Sequence, residues 1–309
     1  MDATLRQLEY AVAVADHGSF HAAARACHVT QPGLSAQIRQ LEHQLGVTLF
    51  ERSRRRVLLT RAGDEVVRRA RGLLTGVVDL EQAARAVAEP LTGTLRFGVI
   101  PTVAPYLLPA VLPAVRRRHP QLVLRLHEAR TDQLVAMLQT GELDLLLLAL
   151  EADLAGLETW PLFEDPFVAA LPARHRLASR KALREADLRE EQVLLLADGH
   201  CLRDQVLSVC ESSGAAEADD FRASSLTTLV QMVAGGAGIT LLPELAVRVE
   251  GATRDLALVR FRKPAPARTI GLAWRPSSPR AEEFRTLGEL LAPRAASRAG
   301  ARAAEGGKR

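Results

Sequence analysis

Seven apolar residues, Val66, Ala70, Leu73, Val77, Leu80, Ala84 and Val87, recur at alternating intervals of four and three. This is the heptad pattern of a helix with one narrow apolar stripe, and Arg68, Arg69, Glu81 and Arg85 lie off it. One helix cannot cover such a stripe by itself. The stripe needs a second copy of the chain or a surface of its own domain, and its place between two unlike regions favours a dimeric coiled coil. Thr60 can cap the helix and Pro90 stops it after Glu89. Residues 61–90 thus read as a linker and dimerisation helix, with one domain before it and another after.

Residues 1–60 read as a DNA-binding head. Leu5, Leu8, Val12 and Ala15 stripe a first short helix that stops near Gly18, and Ser19 can cap a second, alanine-rich one from Phe20 to Ala26. Thr30 caps a third with Pro32 in its first turn. Leu34, Ile38, Leu41 and Leu45 form its buried stripe, and Gly46 ends it. Three short helices with a tight turn between the second and third make a helix-turn-helix. The third is expected to expose Gln31, Ser35, Gln37 and Arg39, side chains suited to base edges and phosphates in a major groove. Arg52, Arg54, Arg55 and Arg56 follow in a short β-like stretch ending Val57-Leu58-Leu59-Thr60, a basic wing for the phosphate backbone. The net charge of +4 is compatible with a polyanion partner. Double-stranded DNA is therefore the expected partner, and paired heads imply a pseudo-palindromic operator. Cys27, in the second helix, reads as a packed core thiol. His17 and His21 have the i, i+4 spacing of metal ligands, but Gly18-Ser19 breaks the helix between them, so no metal is expected; no cofactor is expected either.

From Leu91 the periodicity changes to alternating strands and helices. Thr94–Ile100, Val123–His127 and Leu143–Leu150 read as strands, with helices at Pro105–Arg118 and Asp132–Thr140 between them. A βαβαβ run argues a parallel sheet covered by helices. Further strands are expected at Phe167–Leu171, Val193–Leu196 and Ile239–Leu242, with a helix from Leu226 to Ala234. Arg268–Trp274 reads as a strand returning to the first lobe, and Glu282–Leu291 as the last helix. The fold class is α/β, with residues 91–292 as a two-lobed effector domain whose cleft lies at the strand ends. Residues 293–309, rich in Ala, Arg and Gly, read as a disordered tail. No apolar run approaches the roughly 18 residues of a membrane span, and Met1-Asp2-Ala3-Thr4 does not open a signal peptide, so the cytoplasm is the expected compartment.

The segment Asp198–Gly214 carries Cys201 and Cys210, two of the three cysteines. Leu202, Val206, Val209 and Cys210 follow the spacing of a one-faced helix, which Asp198 can cap and Gly214 can stop. Nine residues of helix separate the Cα atoms by roughly 13 Å along the axis and put the side chains on opposite faces, whereas a disulfide needs its Cα atoms within about 7 Å. These cysteines either never pair or pair only by destroying the helix. Cys201 sits in the first turn, where the helix dipole favours an anion, beside His200 and near Arg203; Cys210 falls on the apolar stripe. Two ordinary buried cysteines remain the alternative at this point.

Two stretches carry a resemblance to one family. His200-Cys201-Leu202-Arg203-Asp204-Gln205, with Cys210 nine places after Cys201, resembles the redox segment of the hydrogen-peroxide sensors among the LysR-type transcriptional regulators. Independently, Ser19-Phe20-His21-Ala22-Ala23-Ala24, Thr30-Gln31-Pro32-Gly33-Leu34-Ser35-Ala36-Gln37-Ile38, Leu41-Glu42 and Leu45-Gly46 resemble the LysR-type winged helix-turn-helix. The resemblance covers roughly residues 3–291 and implies an effector domain like the periplasmic binding proteins. It implies that Cys201 is the peroxidatic thiol, that Cys210 resolves it as a disulfide, and that the bond refolds the segment between them. Thr102, Thr131 and His200 match the residues that hold peroxide, Arg268 an arginine that keeps the thiol ionised, and Asp204 an acid that supports the site. Hydrogen peroxide, RNA polymerase and a homotetramer are implied as stimulus, partner and assembly. Two other readings stand beside this one. The first is a regulator that binds a small metabolite between its lobes. The second is a dithiol peroxidase, which the missing CxxC motif and the DNA-binding head disfavour.

Overall fold

The computed structural model describes residues 3–52, 57–88 and 90–292, and the chain divides into two compact units, one built on Met1–Ala88 and the other from Glu89 onward. The first unit runs α1 (Leu5–His17), α2 (Phe20–Ala26), α3 (Gln31–Leu45), β1 (Phe50–Arg52), β2 (Val57–Leu59) and α4 (Arg61–Ala88). Local chemistry fixes each helix start. Thr4 and Gln7 form a reciprocal capping box, the Ser19 hydroxyl accepts from the Ala22 N–H, and Thr30 accepts from Gly33. Gly18 and Gly46 end α1 and α3 in the left-handed conformation that a side chain disfavours. One Glu42 carboxylate oxygen accepts from the backbone N–H groups of Leu49 and Phe50, at 2.7 and 3.3 Å, and so holds the antiparallel β1–β2 wing against α3. At the start of α4, Thr60 accepts from Gly63 at 2.9 Å, and a Cβ on Gly63 would lie 2.0 Å from the Leu49 carbonyl oxygen; this close approach requires glycine.

The core of the head is Tyr10, Ala11, Val14, Ala23, Leu34, Ile38, Leu41 and Phe50. The stripe expected on α1 is therefore displaced: Leu5 is exposed and Leu8, Val12 and Ala15 only flank the core. α1 meets α2, α3 and α4, so its buried face is set by three neighbours rather than by its most apolar row. On α4, Val67 joins the head core and Ala70 is buried, while Leu73 and Leu80 of the seam are 59% and 70% exposed.

The second unit runs β3 (Gly93–Val99), α5 (Ala104–Arg118), β4 (Leu122–Glu128), α6 (Thr131–Gln139), β5 (Leu145–Ala149), β6 (Glu158–Pro172), β7 (Gln192–Leu196), α7 (Cys201–Ser213), β8 (Ala216–Ala223), α8 (Leu226–Ala234), β9 (Thr240–Pro243), α9 (Glu244–Glu250), β10 (Leu256–Arg260), β11 (Ala267–Trp274) and α10 (Ala281–Leu291). β3 pairs in parallel with β4 and β5, as the βαβαβ pattern requires. β5 is buried along its whole length, the signature of a strand covered on both faces. β11 returns antiparallel to β5, and its other edge pairs with the first half of β6. The second half of β6 pairs with β9 and β10. One long strand thus belongs to both lobes, each with its own apolar core. The winged head, the long helix and the two-lobed α/β domain agree with the expected fold class. The second lobe is not a repeat of the parallel unit: β9 and β10 run antiparallel to β6, and β8, α9 and β10 have no counterpart in the pattern read from the sequence. Ala216–Ala223, with charges at Glu217, Asp219, Asp220 and Arg222, carries no period-two apolar signal.

Candidate functional site

α7 begins at Cys201 and ends in a left-handed Gly214, as the spacing requires, but Asp198 is not its cap. His200 occupies that position without a side-chain cap. The Asp198 carboxylate instead binds two guanidinium groups, Arg203 Nε at 2.9 Å and Arg222 Nη1 at 3.3 Å. Two charge-assisted bonds outcompete a neutral backbone N–H. All three cysteines are free. Cys201 packs into the core of the first lobe and Cys210 into that of the second, although both ride on one helix. Burial, aided by Glu217 and Glu211, pushes the Cys210 thiol up to about 11, so it is protonated at neutral pH.

The start of α7 faces the start of α6. Arg130 Nη1 donates to the Asp198 carbonyl at 3.0 Å, and its guanidinium lies where a Cβ on Gly199 would be only 3.2 Å away. The His200 ring is buried, and burial first, then Arg130, pull its pKa below the ordinary imidazole value. It is neutral at pH 7, with one N–H to give and one lone pair to accept. Thr131, the first residue of α6, is buried and its Oγ1 has no hydrogen-bond partner among the described residues.

At the end of β3, Thr102 Oγ1 accepts from Arg268 Nη1 at 2.8 Å, and its carbonyl accepts from Nη2 at 3.0 Å. Toward Arg268 the Thr102 oxygen is an acceptor, so its hydroxyl proton is not used in that bond. The same guanidinium donates to Asp165 Oδ2 from Nε and Nη2, at 3.0 and 2.9 Å. Arg268 and Asp165 stand opposite each other in the β11–β6 ladder, both almost wholly buried. Burial raises the Asp165 carboxyl and Arg268 opposes that rise. Arg203 forms a two-pronged pair with Glu217, at 2.7 and 3.1 Å, as well as the Asp198 bond; its charge is committed to carboxylates. Asp204 is exposed. With Cys201, Gln205 and Glu151 it lines a cleft of about 470 Å³ between the lobes. Nothing in the sequence signals Arg130, Asp165 or Glu217: Asp165 lies 103 residues from Arg268, and only strand register brings them together.

On the head, Thr30, Gln31, Pro32 and Arg39 are exposed at or along α3. Ser35 is not: it is 5% exposed, because α3 packs against both α1 and α2 and buries Ser35 beside Leu34, Ile38 and Leu41, while Leu45, expected on that stripe, is 42% exposed. Gln37 is half-buried and accepts from Gln7 Nε2 at 3.1 Å. Arg52 lies on β1, while Arg54, Arg55 and Arg56 are outside the described residues, as is the tail from residue 293.

A winged head, a partly exposed helical seam and a two-lobed domain holding two thiols define a DNA-binding regulator with a sensing domain. Residues 5–64 match the bacterial regulatory helix-turn-helix protein, lysR family, and residues 88–296 the LysR substrate binding domain; the chain belongs to the LysR family. Within it, the likeness is to OxyR. The chain is 47% identical to the DNA-binding transcriptional dual regulator OxyR of Escherichia coli K12, over 94% of this chain and 95% of that protein. Full-length mutant OxyR from Pseudomonas aeruginosa has a TM-score of 0.74 at 36% identity, covering 94% of this chain and 95% of that one. A hydrogen-peroxide-bound OxyR mutant from Corynebacterium glutamicum has a TM-score of 0.66 at 36% identity, covering 94% and 92%.

Proposed function

We propose that this chain is a cytoplasmic transcriptional regulator of antioxidant genes, switched by hydrogen peroxide through Cys201 and Cys210. The observation that carries the reading is the placement of two free, buried thiols at opposite ends of α7, each in a different lobe's core. Cys201, as thiolate at the helix N-terminus, attacks one peroxide oxygen. The S–O bond forms as the O–O bond breaks, and the departing oxygen takes a proton and leaves as water. The neutral His200 and the Thr102 and Thr131 hydroxyls would hold peroxide and relay that proton. Asp204 and Arg203 support the segment, and Arg268 orients Thr102. The Cys210 sulfur then attacks the sulfenic sulfur. The S–S bond forms, the S–O bond breaks, and a second water leaves with the Cys210 proton. Since Cys210 stays protonated inside its core, this step follows its release from that core.

The exposed Leu73 and Leu80 support a dimer through α4, with two heads on a pseudo-palindromic operator, and the family resemblance supports a tetramer. Gln31, Pro32, Gln37 and Arg39 would meet base edges and backbone at the start of α3, Thr30 would position that turn, and Arg52, Arg54, Arg55 and Arg56 would contact phosphates. RNA polymerase is the downstream partner. The test is a mass-spectrometric thiol map of the purified protein before and after peroxide, beside a footprint on upstream DNA. The expected result is a Cys201–Cys210 disulfide and an altered footprint, with no added metabolite. A footprint that shifts only with a metabolite, while both thiols stay reduced, would replace this reading with that of a ligand-gated regulator.

A further inference from the structure

Resting on this redox reading, we infer that Glu151 and Gln205 form a latch that holds α7 in its reduced position and sets how readily the disulfide closes. Glu151 follows β5, in the first lobe. Leu150 N–H donates to the Thr269 carbonyl at 2.9 Å, and Glu151 Oε1 accepts from the Thr269 N–H at 2.6 Å. A side-chain oxygen thereby continues the β5–β11 pairing where the backbone of β5 departs, and this fixes the carboxylate to the sheet. Its other oxygen, Oε2, accepts from Gln205 Nε2 at 3.0 Å, in the second turn of α7. The helix carrying both cysteines is thus tied to the opposite lobe by a hydrogen bond to a charged acceptor that is itself anchored.

The amide orientation follows from chemistry, since turning it over would point Oε1 at a carboxylate. The cost is that Gln205 Oε1 is buried with no hydrogen-bond partner among the described residues. The latch therefore holds α7 with one bond while leaving an acceptor unsatisfied, and unwinding the helix relieves that acceptor. A clamp of this kind opposes the second redox step, in which Cys210 reaches Cys201. Gln205 and Glu151 act through the position of α7; they are positioning residues.

The test uses the full-length chain and two substitutions of opposite sign. Gln205→Glu places a second carboxylate against Glu151, and Gln205→Lys offers it an ammonium. Disulfide formation after a peroxide pulse, followed by quenched mass spectrometry, should be faster in Q205E and slower in Q205K by about three- to tenfold each, the range for a partly exposed hydrogen bond to a charged group. Because residue 205 lies one helical turn from Cys201 in the same cleft, sulfenic-acid formation at Cys201 is measured for each chain in a Cys210→Ser background, and closure is timed from that step. In a Glu151→Gln background the gap between Q205E and Q205K should collapse. Equal closure rates for Q205E and Q205K, or a gap that persists in E151Q, would overturn the latch while leaving the peroxide switch in place. A wild-type chain that forms no disulfide at all would remove the reading on which the latch rests.

Discussion

Replacing Cys201 with Ser is expected to leave operator binding intact and to abolish the peroxide response entirely. The hydroxyl occupies nearly the same volume, so the first lobe's core and the start of α7 keep their packing. But an alcohol is not ionised at neutral pH and cannot attack the O–O bond. Cys210 cannot substitute: it is held protonated, with its pKa pushed up to about 11, inside the other core. Cys27 cannot either, since burial raises its thiol pKa too. A reporter fused to a target promoter, read with and without peroxide, measures the effect. Full induction in C201S would place the sensor elsewhere in the chain.

The largest expected effect on stability is that of Arg268→Met. The side chain is enclosed where β11 and β6 pass between the lobes, and it alone supplies the Arg268–Asp165 ion pair and the two bonds to Thr102. Removing one partner of a buried ion pair costs about 3–5 kcal/mol, because the other charge is left without compensation. At about 2–4 °C per kcal/mol for a domain of this size, thermal unfolding should fall by roughly 6–20 °C. Asp165 then carries a carboxyl pKa raised above its unfolded value by burial, with no cation opposing it. Such a group contributes most below the ordinary carboxylate range, and its contribution is lost as pH rises through the raised value. The defect should therefore be smallest in mild acid and grow toward neutral pH. The double replacement Arg268→Met with Asp165→Leu should recover part of the loss, since the Leu245 N–H then loses its Asp165 acceptor. A single variant that melts like the wild type at pH 7 would mean that the pair contributes nothing.

Much of this organisation is legible in the sequence because it rests on local chemistry. Caps at Ser19, Thr30 and Thr60, the glycine stops at Gly18, Gly46 and Gly214, and the unbroken Leu145–Leu148 run each dictate an element within a few residues of themselves. The nine-residue spacing of Cys201 and Cys210 on a capped helix likewise needs no tertiary information. What the sequence hides is register and competition. Asp198 looks like a cap until Arg203 and Arg222 claim it. Ser35 looks exposed until α1 and α2 pack against α3. Arg268 has no visible partner, since Asp165 meets it only across a ladder that joins distant strands. Part of the second lobe is hidden too: β8 is too polar for its sequence to announce a strand.

α7 cannot hold both its helix and the disulfide, since nine residues of helix keep the two cysteines roughly 13 Å apart. Amide hydrogen exchange across Leu202–Val209, compared between reduced and peroxide-treated protein, measures this directly. Exchange should rise sharply in the oxidised wild type. It should stay slow in a Cys210→Ser variant oxidised only at Cys201. A wild-type protein carrying the Cys201–Cys210 bond, with that segment still as protected as in the reduced state, would contradict the switch.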